Sequence, residues 1–152
     1  MRKLRRIPFT KEGLENLKIE YQKILDERPN AVKTLADARE LGDLSENGLY
    51  KAARARLSSI DANLRRIDIT IKLAEVEEPE KGIVGVGSKV FVNDGEKNRD
   101  FSVVGKYETD PLRSKVSDES PIGRALMNKK VGDVVNIHTP KGKISFKILK
   151  IE

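Results

Sequence analysis

Positions 14, 17, 21, 24, 28, 31, 35 and 38 are Leu, Leu, Tyr, Ile, Arg, Ala, Leu and Ala. Their alternating spacing of three and four predicts a long amphipathic helix whose apolar seam is interrupted only at Arg28. Thr10 is placed to cap its start. Pro29 is expected to kink or break it locally, because an interior proline removes a backbone donor and clashes with the preceding turn. A second seam runs through Leu57, Ile60, Leu64, Ile67, Ile71 and Ala74 and extends back through Leu49 and Ala53. A helix buries such a stripe only against a partner, and the few residues between the two seams favour an antiparallel hairpin. At about 1.5 Å per residue, Leu14 to Ala38 spans roughly 37 Å, so Leu41-Gly42-Asp43-Leu44-Ser45-Glu46-Asn47 falls at the tip of a long arm.

After Pro79 the period changes from helical to alternating. Ser88–Val92 and Arg99–Val104 read as strands around Asn93-Asp94-Gly95-Glu96, where Asp-Gly favours a tight hairpin turn. Val134–His138 and Ile144–Ile151 form a second pair around Thr139-Pro140-Lys141-Gly142. Between the pairs, Ser120 in the capping position and Pro121 at the first helical position start a short helix. The expected fold is therefore α+β. Residues 1–79 form an N-terminal coiled-coil hairpin with its tip at 41–47, and residues 80–152 form a small antiparallel-sheet domain with a short helix.

Composition narrows the chemistry. The 152 residues leave no room for a large catalytic core. With no cysteine and one histidine, the chain lacks a thiol nucleophile, a disulfide scaffold and any site built on paired imidazoles. Lys and Arg number 30 against 24 Asp and Glu, a net charge of +6, which permits an acidic or nucleic-acid partner without naming one. The charge is spread over both halves with no dominant cationic stripe, so neither half reads as a self-sufficient binder of duplex DNA. No apolar run is long enough to cross a bilayer and the basic start lacks a signal-peptide core, so a soluble cytoplasmic protein without a membrane partner is expected. Gly82-Ile83-Val84-Gly85-Val86-Gly87 has the glycines of a dinucleotide loop in the wrong order and reads as the entry to a strand. His138, alone in a strand, reads as a packing or surface residue.

Asp43 and Glu46 admit two readings. Spaced by three, they match an acidic capping box that starts the second helix. They also offer hard oxygen ligands to a cation such as Mg²⁺, which takes roughly six oxygens and would borrow the remainder from phosphate or a partner.

The run Ala38-Arg39-Glu40-Leu41-Gly42-Asp43-Leu44-Ser45-Glu46-Asn47-Gly48-Leu49-Tyr50-Lys51-Ala52-Ala53-Arg54 closely resembles the tip signature of the bacterial GreA/GreB transcript cleavage factors, A-R-x-x-G-D-L-x-E-N-x-E-Y-x-x-A-K/R. The resemblance extends to Pro8-Phe9-Thr10 and to Ser120-Pro121-Ile122-Gly123-Arg124-Ala125-Leu126, which is similar to the family's S-P-I/L-x-x-A-L segment. It implies an FKBP-like C-terminal domain that docks at the secondary channel of bacterial RNA polymerase, with Ser120 and Pro121 as candidate contacts, and a hairpin that threads down the channel. By the same resemblance, Asp43 and Glu46 act as catalytic residues on the nascent RNA 3′ end of backtracked complexes. They would hold a Mg²⁺ jointly with the polymerase, none being bound by the free protein. The nuclease is then the polymerase, and the chain is a monomeric cofactor protein rather than an enzyme. Arg39 and Arg54 correspond to a basic patch that contacts extruded RNA. By their position, Asn47 reads as support for the turn and Tyr50 as tip support that either stacks on a base or packs against the other helix. Leu49 departs from the family, which commonly has an acidic residue there.

Three other readings stay open. A factor of this fold can occupy the channel and inhibit without cleaving. An FKBP-like domain can isomerise prolyl bonds, although Phe91, Phe101, Tyr107 and Phe146 are the only Phe or Tyr available for its pocket. A hairpin can also be an adaptor with no chemistry.

Overall fold

The computed structural model describes residues 4–43 and 47–152. Two helices, α1 (Lys11–Arg39) and α2 (Gly48–Leu73), form the expected hairpin. The seam positions Ala31, Ile60 and Leu64 are buried together, flanked by Tyr21, Ile24 and Leu57. Each large apolar side chain so buried contributes about 1.5–3 kcal/mol. Arg28, the interruption in the seam, is accounted for by its partner: Nε donates to Asp61 Oδ1 at 2.6 Å and Nη2 to Oδ2 at 3.2 Å. These bonds hold the Asp61 carboxyl below its usual range and raise the Arg28 guanidinium above its own.

Pro29 does not break α1, which runs continuously from Lys11 to Arg39. The Arg28–Asp61 bridge on one side of Pro29 and the burial of Ala31 on the other hold the backbone helical across the missing donor.

The chain forms two compact units, divided differently from the boundary expected at residue 79. Glu15–Leu73 is one; the other joins Ala74–Glu152 to the segment that ends at Leu14. Two strands too short to show a periodic pattern make that join. Strand β1 (Ile7–Phe9) pairs in parallel with β2 (Ala74–Val76). Glu77 N donates to Phe9 O at 3.0 Å, and the buried Phe9 ring stacks on Tyr107.

The start of α1 is fixed within this unit. Thr10 Oγ1 accepts from Gly13 N at 3.0 Å, as its capping role requires. In a local capping box the residue at position 13 would return a carboxylate to Thr10. Gly13 has none, and Glu108, 98 residues away, supplies it: Oε2 accepts from Thr10 N at 2.9 Å and Oε1 from the Thr10 hydroxyl. The same carboxylate accepts from Gly105 N at 3.3 Å. A Cβ at position 13 would lie 1.8 Å from Glu108 Oε1, so only glycine leaves room for it.

The remaining strands are β3 (Lys89–Asn93), β4 (Asn98–Val104), β5 (Lys115–Ser117), β6 (Val134–Thr139) and β7 (Gly142–Ile151). They form one sheet in the order β5-β4-β3-β7-β6. The sheet is not wholly antiparallel as expected, because β5 pairs with β4 in parallel. Two short 3-10 turns, Lys106–Glu108 and Pro111–Arg113, carry the chain back so that it re-enters the sheet in the same direction. In the β3–β4 turn, backbone donors from Lys97 and Glu96 pull the Asp94 carboxyl down to about 2. The inner face of the sheet contributes Val90, Val92, Val103, Val135, Ile137, Phe146 and Ile148 to a core closed by Leu126 of the helix α3 (Pro121–Leu126). Ser120 caps α3 by accepting from Gly123 N at 3.0 Å and donates its own hydroxyl to Ser117 O at 2.6 Å.

The Gly13–Glu108 contact reverses the usual effect of glycine in a helix. Gly13→Ala gains about 1 kcal/mol of helix propensity, yet displaces the carboxylate and is expected to lower stability by about 1–2 kcal/mol. In a Glu108→Ala background the same change is expected to stabilise. Urea unfolding of the four full-length proteins measures the cycle, and equal stabilisation in both backgrounds would rule out the carboxylate as the partner of Thr10.

Candidate functional site

Tip geometry follows from how the two helices end. After Arg39 the chain turns through Glu40, Leu41 and Gly42, with Leu41 N donating to Ala38 O at 3.3 Å. Gly42 has φ +115°, a left-handed conformation that disfavours any side chain. Asp43 follows and is exposed to solvent. Glu46, its expected partner in a shared ion site, lies outside the described residues.

The start of α2 is capped by a residue other than Asp43. Helix α2 begins at Gly48 and its cap is Asn47, whose Oδ1 accepts from Tyr50 N at 3.0 Å while its carbonyl accepts from Lys51 N at 3.1 Å. The other end of the same amide, Nδ2, donates to Ala38 O at 2.8 Å. One half-buried side chain therefore starts α2 and ties it to the last turn of α1. Sequence alone indicated Asn47 as turn support. That its donor reaches back to Ala38 follows only from the pairing of the helices.

Arg39 and Tyr50 meet across the hairpin, with the guanidinium carbon 5.8 Å from the ring centroid. Arg54, exposed and four residues after Tyr50, lies on the same helical face. Arg39 and Arg54 thus lie on the side of the hairpin that carries the half-buried Tyr50 ring. Leu49, the departure from the family signature, is 66% exposed and Leu41 is 67% exposed. With Ala38, Ala52 and Ala53 they line an apolar groove of about 410 Å³. Ala38, Leu49 and Ala53 are seam positions, but Leu49 is exposed rather than buried as the seam predicts, and Leu41 belongs to the turn.

Asp43 is a hard-oxygen donor of the kind Mg²⁺ takes. Among the described residues no group of three or more His, Asp or Glu side chains is placed to hold an ion.

A second candidate surface lies in the C-terminal unit. Ser120 and Pro121 line a cleft of about 380 Å³ together with Ile122, Val116, Lys115 and the strand end Ile137–Pro140. The Ser120 hydroxyl is committed to the α3 cap, so Pro121 and Ile122 make the apolar wall on this side. His138, read from sequence as a packing or surface residue, borders the cleft. No Phe or Tyr does. Phe101 packs edge-on against Phe146, Phe91 carries two lysines and Tyr107 covers Phe9. The aromatic cage that prolyl isomerisation usually needs is missing from this cleft.

Comparison with known proteins places both units. Residues 7–76 match the family model described as "Transcription elongation factor, N-terminal", and residues 78–152 match "Transcription elongation factor, GreA/GreB, C-term". The chain is 40% identical over 151 residues to transcription elongation factor GreA of Lactococcus lactis subsp. cremoris, covering 95% of this chain and 97% of that protein. It is 36% identical over 152 residues to GreA of Thermomicrobium roseum, covering 97% of each. A solved structure of the GreA factor homolog 1 protein of Thermus thermophilus is 30% identical, covers 97% of this chain and 99% of that one, and superposes with a TM-score of 0.46. With both halves matched and near-complete coverage of its relatives, the chain belongs to the GreA/GreB transcription elongation factor family.

Proposed function

We propose that the protein binds bacterial RNA polymerase through the secondary channel and stimulates the polymerase's own Mg²⁺-dependent cleavage of backtracked RNA. One observation carries this reading. The exposed Asp43 sits in the turn that joins the two helices of the hairpin, within a tip sequence that resembles the cleavage-factor signature at every quoted position but Leu49.

Asp43 and Glu46 contribute carboxylate oxygens to an ion shared with the polymerase and orient the attacking water. When bound, the ion neutralises charge on the entering and leaving oxygens. Arg39 and Arg54 draw the phosphates of the extruded RNA 3′ end toward the carboxylates by sequence-independent attraction. Tyr50, lying under Arg39, keeps that guanidinium at the tip. The cleft beside Pro121 and Ile122 serves as the docking surface on the polymerase. The protein acts as a cytoplasmic monomer and performs no hydrolysis alone, because two carboxylates fall short of the roughly six oxygens the ion takes. No helix among the described residues is long and apolar enough to cross a membrane.

A purified polymerase complex, backtracked and carrying labelled RNA in Mg²⁺, tests the reading. Asp43→Ala or Glu46→Ala is expected to lower stimulated cleavage by about 100-fold, the scale of losing one preorganised electrostatic group, with polymerase binding nearly unchanged. Wild-type cleavage by either variant would refute the metal role. Binding by the native protein without cleavage would instead support a channel-occupying inhibitor.

Arg39→Ala and Arg54→Ala are expected to act mainly on complexes with long extruded RNA, measured as the ratio of cleavage rates on deeply and shallowly backtracked complexes. A uniform loss would remove the RNA contact.

Asn47→Asp keeps an acceptor for Tyr50 N but loses the donor to Ala38 O. It is expected to retain the helix content of the native protein by circular dichroism while cleaving more slowly at limiting Mg²⁺. Unaltered cleavage would show that the bridge does not position the tip.

A further inference from the structure

One face of the five-stranded sheet packs on the core; the other takes no part in the tip chemistry and borders the cleft beside Pro121 at His138. Cross-strand register assigns this outer face. It carries Lys89, Phe91 and Asn93 from β3, and Asn98, Asp100 and Ser102 from β4. From β6 and β7 it carries Val134, Asn136 and His138 opposite Lys147, Ser145 and Lys143. Side-chain bonds agree with the assignment, Asn93 donating to Asn98 at 2.7 Å and Ser145 to Asn136 at 2.6 Å. These strand residues are exposed or half-buried.

A β-bulge adds the fourth lysine. Phe91 is opposite Lys150 and Val92 is opposite Ile148, so Leu149 is an extra residue in β7. On a regular strand, residues 143, 145, 147, 149 and 151 share a face, and Lys150 would point toward the core. The bulge shifts the phase by one: Ile151 joins Ile148 on the inner side and Lys150 joins Lys147 outside. Lys150 Nζ then lies 5.6 Å from the Phe91 ring centroid, with Lys89 Nζ 5.3 Å from it.

Asp100 is the only acidic strand residue on this face among those described, and it pairs with Lys89 at 3.5 Å. Lys150 pairs with Glu152 just past the strand. Both pairs are exposed, so each is worth at most about 1 kcal/mol and readily exchanges its carboxylate for another anion. Lys143 and Lys147 have no ion pair among the described residues. From Lys143 to Lys150 the row extends roughly 24 Å at about 3.4 Å per residue.

We propose that this lysine-bearing outer face of the sheet is a second nucleic-acid contact, binding the phosphate backbone without regard to sequence. Four ammonium groups interleaved with amide and hydroxyl side chains match what phosphate oxygens take. The face has little continuous apolar surface of the kind that marks the core of a protein interface. The site is separate from the tip arginines and does not depend on the cleavage reading.

Fluorescence anisotropy of the full-length protein with labelled single-stranded RNA, single-stranded DNA and duplex DNA of one length tests the proposal. Binding is expected to weaken roughly 50- to 150-fold between about 50 and 200 mM salt, the dependence of four released counterions. The triple variant Lys143→Gln, Lys147→Gln, Lys150→Gln is expected to lose at least about tenfold at the lower salt and to flatten the salt slope by about 2 to 3. Replacing the same residues with Arg should retain binding, which separates charge loss from misfolding. Whichever of the three nucleic acids binds tightest names the source of the phosphates. No binding to any of them at low salt, affinity unchanged by the glutamine variant, or loss confined to an Arg39→Ala, Arg54→Ala protein would each overturn it.

Discussion

Neither helix of the hairpin can leave its apolar stripe in water, and the burial of each against the other is the constraint on which the tip depends. Pairing Ala31 with Ile60 and Leu64 aligns the helices so that Asn47 reaches Ala38 and Arg39 reaches Tyr50. The turn between them is thus held by helices whose own stability lies further along the seam. Acidic and cationic groups can collect there without disturbing the core that positions them.

Polar groups in this protein are repeatedly served by partners far away in the chain. Arg28 would weaken the seam if left alone, but its bidentate contact with Asp61 turns an interruption into a cross-link. The capping carboxylate for Thr10 comes from Glu108, and the glycine at position 13 is the space it occupies. In both places a residue that looks unfavourable in its own helix is explained by a residue of another element. Pro29 belongs with them: its lost hydrogen bond is local, whereas the contacts that keep α1 continuous through it are not.

The sheet applies the same logic to charge. Its lysines are scattered among acidic residues along the chain, and only strand pairing sorts them onto one surface. The bulge at Leu149 matters most, since a single inserted residue moves Lys150 from the core side to the outer side and lets Ile151 pack inward.

Much of the architecture was legible in the sequence because it rests on periodicities. The 3,4 spacing determined the two helices and their hairpin, alternation determined β3, β4, β6 and β7, and Ser120-Pro121 marked the start of α3. The tip motif identified Asp43, Glu46, Arg39 and Arg54 as candidates by residue type and order. Tertiary structure alone decided which residue caps α2, because Asp43 and Asn47 are both good caps by residue type and it is the pairing of the helices that brings the Asn47 amide to Ala38 O. It also decided that β1 and β2 join the C-terminal unit and that β5 pairs in parallel, since three-residue strands carry too little pattern to read. The charge of the sheet's outer face belongs to the same class: a bulge inverts strand phase, and no local pattern announces where that inversion falls.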